Sequence, residues 1–426
     1  MIERHKLIDR FRTTRDATES LAAPLSPEDQ QLQSMPDCSP AKWHRAHTTW
    51  FFETFLLLSR GVEPFDPAFA FLFNSYYDAV GPRHARSKRG MLSRPTAAEV
   101  SSYRRTVDER VLELLATMPN EELSGIRPVL ELGIAHEEQH QELLLTDILN
   151  AFAENPTRPA YRRDGRPANG GRSPAAAGFV EYPGGAFEAG AAPTDAFVFD
   201  NETPRHRVWL EPFAIADRLV TVSDWKEFAR ARGYETPSLW LSDGFDFIRT
   251  QCIRAPLYSR LDGDALVVFG LDGEREAGND EPLSHISFYE ADAIATFLGG
   301  RLPTEEEWEC AALTSASVAD GNFRDTGALR PLPAEPAIAA PRQLFGDVWE
   351  WTRSSYSPYP GFTVGAGALG EYNGKFMVNQ FVLRGGSCFT PRDHVRPTYR
   401  NFWHPGTRFQ MSGMRLAKSV GAEVSR

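Results

Sequence analysis

The chain has few of the features that mark specialised classes of protein. Only four cysteines occur in 426 residues, Cys38, Cys252, Cys310 and Cys388. They are scattered and include no C-x-x-C pair, which argues against a disulfide framework and a cysteine-built zinc module. Basic residues are outnumbered, 46 Lys and Arg against 57 Asp and Glu, and the net charge is −11. That balance disfavours binding to nucleic acid or to an anionic membrane surface. No apolar run is long enough to span a bilayer, and Met1-Ile2-Glu3-Arg4-His5-Lys6 lacks the apolar core of a signal peptide, so a reduced, cytoplasmic location is expected. No internal repeat of fixed period is visible. What remains is ordinary globular composition, 42% hydrophobic and 24% charged, with a length that suits two domains.

The texture changes along the chain. Leu7 to Leu21 is a first amphipathic stretch. Ser39 reads as an N-cap and Pro40 as the first helical residue of a second helix, running to about Leu58. Thr96-Ala97-Ala98-Glu99 is a capping box opening a third, to about Met118. A fourth starts at Asn120-Glu121-Glu122 and continues to Phe152. Together these predict a four-helix bundle over residues 1–153, a fold that builds metal sites from facing helices. Residues 154–178 are rich in Pro, Arg, Gly and Ala and too poor in apolar side chains to pack, so they read as a linker. From 179 to 420 short strands, Gly/Pro turns and brief helices are expected. Two of those helices open at Ser287-Phe288-Tyr289-Glu290 and Thr304-Glu305-Glu306-Glu307. Residues 315–342, rich in Ala and Pro, read as surface loop. The fold class is therefore multi-domain, an α domain followed by an α+β domain.

The densest chemical signal is His136-Glu137-Glu138-Gln139-His140 on the fourth helix. Positions i and i+4 share a face, so both imidazoles can reach one ion. Glu142 lies about 200° round from His140 and cannot join them; Asp147 is the carboxylate on the same face. A buried, packed pair of histidines is the competing structural explanation. On the second helix His44 and His47 each could supply a third nitrogen. Three imidazoles leave open coordination positions, which suits Fe(II) chemistry with dioxygen but also zinc hydrolysis or thiol transfer. Between the helices, Tyr76 and Tyr77 could pack or, beside a metal, donate a proton. Arg83, Arg86 and Arg89 could be a solvated face or a clamp for carboxylate. Near the other end, Asn401-Phe402-Trp403 could be core, or could hold a quaternary ammonium against aromatic faces.

These motifs, in this order, resemble a known family. The first half, with Trp43-His44-Arg45-Ala46-His47, Phe73-Asn74-Ser75-Tyr76-Tyr77 and His136 to His140, is similar to the DinB-type helical fold. The second half resembles the formylglycine-generating-enzyme fold, which is C-type-lectin-like. It carries Gly184-Gly185-Ala186-Phe187, Gly300-Arg301-Leu302-Pro303-Thr304, Gly346-Asp347-Val348-Trp349, Leu383-Arg384-Gly385-Gly386-Ser387 and Gly413-Met414-Arg415. The combination resembles the non-haem iron sulfoxide synthases of ergothioneine biosynthesis, over roughly 5–57, 70–152 and 179–418. The resemblance implies Fe(II) held by His47, His136 and His140, with His44 in a supporting place. It implies O2-dependent joining of a cysteine-type sulfur to the imidazole carbon of hercynine (Nα-trimethylhistidine). Gln139 falls where the family holds the substrate imidazole. Asn401 and Phe402 fall where it holds the hercynine carboxylate and trimethylammonium, and Tyr372 matches a substrate-binding tyrosine. Arg86 and Arg89 would hold the cysteine carboxylate. Trp403 stands where members using γ-glutamylcysteine carry Asp, and Leu369 where they carry a catalytic tyrosine. The Tyr76-Tyr77 pair resembles the cysteine-using branch and takes the proton-donor role. Related synthases using histidine (the ovothiol route), γ-glutamylcysteine or a selenium donor, and a DinB-type thiol transferase, are the alternatives. The expected partners are small molecules, with no nucleic acid and no membrane.

Overall fold

The computed structural model describes residues 2–162, 176–193, 196–315, 318–335, 340–365 and 367–421. The chain forms two compact units, Met1–Arg162 with Val364–Tyr372, and Arg163–Thr363 with Asn373–Arg426. Of the expected linker, 163–175 lies outside the described residues. Its first part belongs to the helical unit, where the buried Tyr161 donates its hydroxyl to Leu21 O at 2.7 Å.

The first unit is built on α1 (Ile2–Ala22), α2 (Ala41–Phe52), a short α3 (Phe69–Phe73), α4 (Ala97–Thr117) and α5 (Asn120–Glu154). Thr96 and Glu99 form the capping box of α4 in both directions. The entry to α2 differs from expectation. Its N-cap is Pro40, with no side-chain cap bond. Ser39 is engaged elsewhere, its backbone N–H donating to Asp147 Oδ2 at 2.7 Å and its hydroxyl accepting from Arg89 at 3.0 Å. Tertiary partners have displaced the local cap. The far end also differs, because regular helix stops at Phe52 and passes into a wider π turn over Glu53–Leu57 and a 3-10 turn over Leu58–Arg60. The buried Glu53 at that junction accepts from Phe65 N at 2.8 Å and from the Tyr103 hydroxyl at 2.6 Å.

Helices α2 and α5 approach closely at Gly133. A Cβ there would lie 2.4 Å from Phe52 Cε1 and 3.0 Å from Phe51 Cε1, so only glycine fits, one turn before His136. On the other side of α5, Glu137 is fully buried and accepts from Thr18, Arg15 and Arg104 at 2.6, 2.7 and 2.8 Å. Burial alone would raise its pKa, but the two guanidiniums hold it down at about 2. This ionic knot ties α5 to α1 and α4 and fixes the rotation of the helix that carries the histidines.

The second unit contains twelve short strands in four sheets among the described residues. β1 (Phe179–Tyr182), β4 (Phe213–Leu219) and β12 (Arg415–Ser419) form one antiparallel sheet. β10 (Asn401–Trp403), β9 (Phe381–Arg384), β8 (Trp349–Ser355) and β11 (Ser412–Gly413) form another, in which β11 runs parallel to β8. β2 (Gly185–Ala189) pairs with β3 (His206–Leu210), and β5 (Ser259–Asp262), β6 (Ala265–Gly270) and β7 (Gly273–Glu276) form a meander. Four helices complete the unit, α6 (Val222–Arg230), α7 (Ser242–Thr250), α8 (Phe288–Phe297) and α9 (Glu305–Ser315). Ser287–Glu290 caps α8 as expected, and Thr304 and Glu307 exchange the same pair of bonds at α9. Tyr182, Phe213, Ile215, Trp308, Phe323, Leu344, Phe345 and Val395 share one apolar core. Residues 318–335 are not simply surface, since Phe323, Ala328 and Leu329 are buried there. No helix among the described residues is long and apolar enough to cross a membrane.

The arginines of the fold-marking motifs in this unit are held in buried ion pairs. Arg384 donates to Glu305 and Glu309, each at 2.9 Å. Arg400 grips Glu305 with two bonds of 2.8 and 2.9 Å, and Arg415 grips Glu350 at 2.9 and 3.1 Å. Gly385, next to Arg384, has φ +95°, and a Cβ would meet Leu344 O at 2.5 Å, which only glycine avoids.

Candidate metal centre

Positions 43, 47 and 50 lie on one face of α2, and the structure makes a stack of them. The His47 ring is parallel to Trp43 at 4.5 Å and to Trp50 at 5.6 Å, each within 15°. The Arg89 guanidinium covers Trp43 at 3.4 Å from the ring centroid. Trp43 is held by a bond from Nε1 to Leu72 O of 3.1 Å. Thus the ring plane of His47 is set by aromatic packing, and its Nδ1 is bound to Phe73 O at 2.6 Å.

α5 brings the other two. His47, His136 and His140 each offer a nitrogen, and these atoms lie within 4.8 Å of one another. His47 Nε2 and His136 Nε2 are 3.1 Å apart. His140 Nδ1 is 2.8 Å from His44 Nδ1, and His44 Nε2 is 2.9 Å from Asp147 Oδ2. His44 is therefore a partner of His140, and Asp147 its partner in turn. Burial, above all, pushes His136 down to about 3 and His47 and His140 well below the ordinary imidazole value. The histidines' mutual repulsion adds to this for His47 and His140. All three are neutral at physiological pH, the form that binds metals.

The donor set fits a divalent transition metal. Nitrogens about 2.1 Å from a shared ion stand about 3 Å apart when they are adjacent ligands, which the His47–His136 pair matches. Among the described residues no carboxylate or thiol joins the group, so open positions would remain for exogenous ligands. Imidazoles alone do not separate iron from zinc.

The other predicted residues distribute unevenly. Tyr372 reaches the histidines because Val364–Tyr372 belongs to the helical unit. Its ring is 5.8 Å from His136 and 6.2 Å from Tyr76, and its hydroxyl donates to Gln139 Oε1. Leu369 lies one turn earlier, its carbonyl accepting from Tyr372 N at 3.3 Å. Tyr76 and Tyr77 stack at 4.6 Å. Tyr77 is fully buried among Trp50, Phe51 and Phe55. Burial first, then Tyr76, Tyr372 and Glu371, raises its phenol pKa well above the ordinary value, so it is a protonated donor. Arg89 is buried, bonded to the Ser39 and Ser75 hydroxyls, and among the described residues forms no ion pair with a carboxylate. Arg86 is exposed and donates to Asp37 O, and Arg83 pairs with Asp78. Asn401 and Phe402 lie on β10 in the second unit. There Asn401 Oδ1 accepts from Phe402 N at 2.8 Å, and the Phe402 ring stacks on Tyr356 at 4.0 Å and 9°.

Residues 167–327 and 335–420 match the family model described as sulfatase-modifying factor enzyme 1-like domain, and residues 10–144 match the DinB superfamily. A protein of Mycolicibacterium smegmatis named hercynine oxygenase is 34% identical over 99% of this chain and 100% of its own. One of Mycobacterium tuberculosis with the same name is 35% identical over 92% of this chain and 94% of its own. The chain belongs to the hercynine oxygenase family. Part of the chain also resembles formylglycine-generating enzymes. That of Thermomonospora curvata is 34% identical over 32% of this chain and 49% of its own.

Glu371 is the site-building residue that sequence reading missed. Its carboxylate accepts from the backbone N–H groups of Asp78 and Ala79 at 3.1 and 2.9 Å, fastening the Tyr372 segment to the loop that follows Tyr76-Tyr77. Nothing in the local sequence announces a carboxylate that caps a turn 292 residues away.

Proposed function

We propose that this chain is an Fe(II)- and O2-dependent sulfoxide synthase of ergothioneine biosynthesis. It would join the sulfur of cysteine to the imidazole carbon of hercynine, giving hercynyl-cysteine sulfoxide. The reaction closes on dioxygen alone. The C–H and S–H bonds are replaced by C–S, one oxygen atom goes to sulfur, and the other leaves as water with the two hydrogens. The observation that carries this reading is the cluster of three neutral histidine nitrogens, on two buried and one half-buried ring, with Gln139 and Tyr372 beside it.

His47, His136 and His140 would hold the iron, which when bound supplies thiolate binding and redox chemistry with O2. The remaining work belongs to the side chains, and much of it is positioning. Gln139, with Tyr372, would orient the substrate imidazole. Arg89, a buried guanidinium without a carboxylate partner among the described residues, would take the cysteine carboxylate, with Arg86 nearer the surface. Asn401 and Phe402 would hold the carboxylate and trimethylammonium of hercynine; the stacking of Phe402 on Tyr356 keeps such a ring in a fixed plane. The phenols of Tyr76 and Tyr77 would donate the proton that directs the outcome to coupling rather than to cysteine sulfinate. Trp403, in place of a carboxylate, favours free cysteine over γ-glutamylcysteine.

The test is to load the protein anaerobically with Fe(II), add hercynine and cysteine, and admit O2. The coupled sulfoxide is expected by mass spectrometry, with less from histidine, γ-glutamylcysteine or a selenosugar in controls. Absence of O2 consumption with every pair would sink the oxygenase reading. Tyr76→Phe or Tyr77→Phe should raise the sulfinate-to-sulfoxide ratio; if neither does, the proton-donor assignment fails.

A further inference from the structure

A neutral histidine binds a metal only through the nitrogen that lacks the proton, so something must decide where that proton sits. For His47 the decision is local: Phe73 O can only accept, which places the proton on Nδ1 and bares Nε2. Among the described residues His140 has no such carbonyl partner. Its Nδ1 faces another imidazole nitrogen, His44 Nδ1, at 2.8 Å, and two imidazoles leave the direction of that bond undetermined.

The direction is set one residue further out. Asp147 Oδ2 already accepts from the Ser39 backbone N–H at 2.7 Å, and the same oxygen is 2.9 Å from His44 Nε2. An acceptor oxygen requires the His44 proton on Nε2. With that proton on Nε2, the lone pair at His44 Nδ1 faces His140 Nδ1, which donates its own proton there. His140 Nε2 is left bare. Every donor in the sequence Ser39 N–H, His44 Nε2–H and His140 Nδ1–H points towards an acceptor; Ser39, His44 and Asp147 are buried and His140 is half-buried.

We propose that Asp147 and His44 are positioning residues that set the tautomer of His140 and so present its Nε2 to the metal, a carboxylate acting through two imidazoles instead of one. The inference rests on the three-histidine reading of the metal centre. His136 has no equivalent device: its Nδ1 is buried without a hydrogen-bond partner among the described residues. Orientation by outer partners is therefore unequal among the three, and the His44–Asp147 pair is the part most open to mutation without touching a ligand.

The test uses the full chain labelled with 15N-histidine, without metal and then titrated with Co(II). In the wild type the His140 ring is expected as the Nδ1-protonated tautomer, which 15N shifts report directly. His44→Leu, which can neither accept nor donate, should abolish that signature and weaken Co(II) affinity ~10–100-fold, the usual effect of losing an outer partner. Asp147→Ala should move both readouts in the same direction. His44→Gln, whose amide carries one donor and one acceptor, should recover most of the affinity. A wild-type His140 protonated on Nε2 would overturn the proposal without any variant. So would a His44→Leu protein with unchanged tautomer and Co(II) affinity within twofold, or a Gln variant as weak as Leu, which would indicate packing alone. If the wild type binds no Co(II) or Fe(II), the metal reading falls, while the metal-free 15N spectrum still decides the tautomer.

Discussion

Two buried polar clusters in this protein are built on opposite rules. In the second unit, Arg384, Arg400 and Arg415 are buried beside carboxylates, and each guanidinium is met by Glu305, Glu309 or Glu350 at 2.8 to 3.1 Å. Charge is closed within the cluster, so little binding capacity remains. In the helical unit, His47 and His136 are buried and His140 is half-buried, yet all three turn their nitrogens towards one another. Buried polar groups normally carry partners, and here the imidazole nitrogens have largely one another for partners, an arrangement suited to a shared cation. The comparison separates scaffold from site more reliably than burial or charge does. It also shows why the Arg-rich motifs near the end of the chain, prominent in the sequence, are structural. The proposed chemistry rests on the neutral histidines.

The largest effect that would break this contrast is on the histidines themselves. His47→Ala, His136→Ala or His140→Ala should each cost more metal affinity than the ~10–100-fold typical of an outer partner, by Co(II) titration, while the metal-free protein stays folded by circular dichroism. Unfolding of the metal-free variants would instead make the histidines scaffold. The reverse is expected of Arg384→Met. Leaving Glu305 and Glu309 buried without that partner should lower the unfolding free energy by about 3–5 kcal/mol in urea titration, with metal affinity changed less than twofold. Gly133→Ala sits between the two classes. Its methyl must push against Phe51 and Phe52 and should cost about 1–3 kcal/mol by overpacking, with a measurable loss of Co(II) affinity because α2 and α5 carry the proposed ligands.

The smallest effect concerns Asp347, whose carboxyl is pushed by burial up to about 6 from an ordinary 3.8, although Asn322, Leu332 N–H and Gln343 hold it down. A folded value above the unfolded one means that ionisation opposes folding. Its favourable contribution is complete below about pH 4 and lost as pH rises through about 6. The urea unfolding free energy should therefore fall over that window, and Asp347→Asn should flatten the slope. An unchanged slope would contradict the assignment.

Much of the site was visible before folding was considered. The i, i+4 spacing of His136 and His140, the exclusion of Glu142 and the placing of Asp147 on the histidine face follow from helix geometry alone. The capping boxes at Thr96, Ser287 and Thr304 likewise depend on residues three apart, and all three form. Ser39 shows the limit of that reasoning. Its hydroxyl has the right position for a cap, but Arg89 and Asp147, 50 and 108 residues away, compete for the same residue and win.

The sequence by itself determined which residues could meet on one helix, because the period of a helix is fixed by the backbone. It also carried the order of motifs by which the family is known. Tertiary structure alone decided that His140 is the histidine His44 meets, that Arg89 lies buried on Trp43, and that Glu371 brings Tyr372 to Gln139. Each of those is a contact between segments far apart in the chain, where no local periodicity constrains the partners. Only the packing of α2 against α5, and of Val364–Tyr372 within the same unit, selects among the candidates.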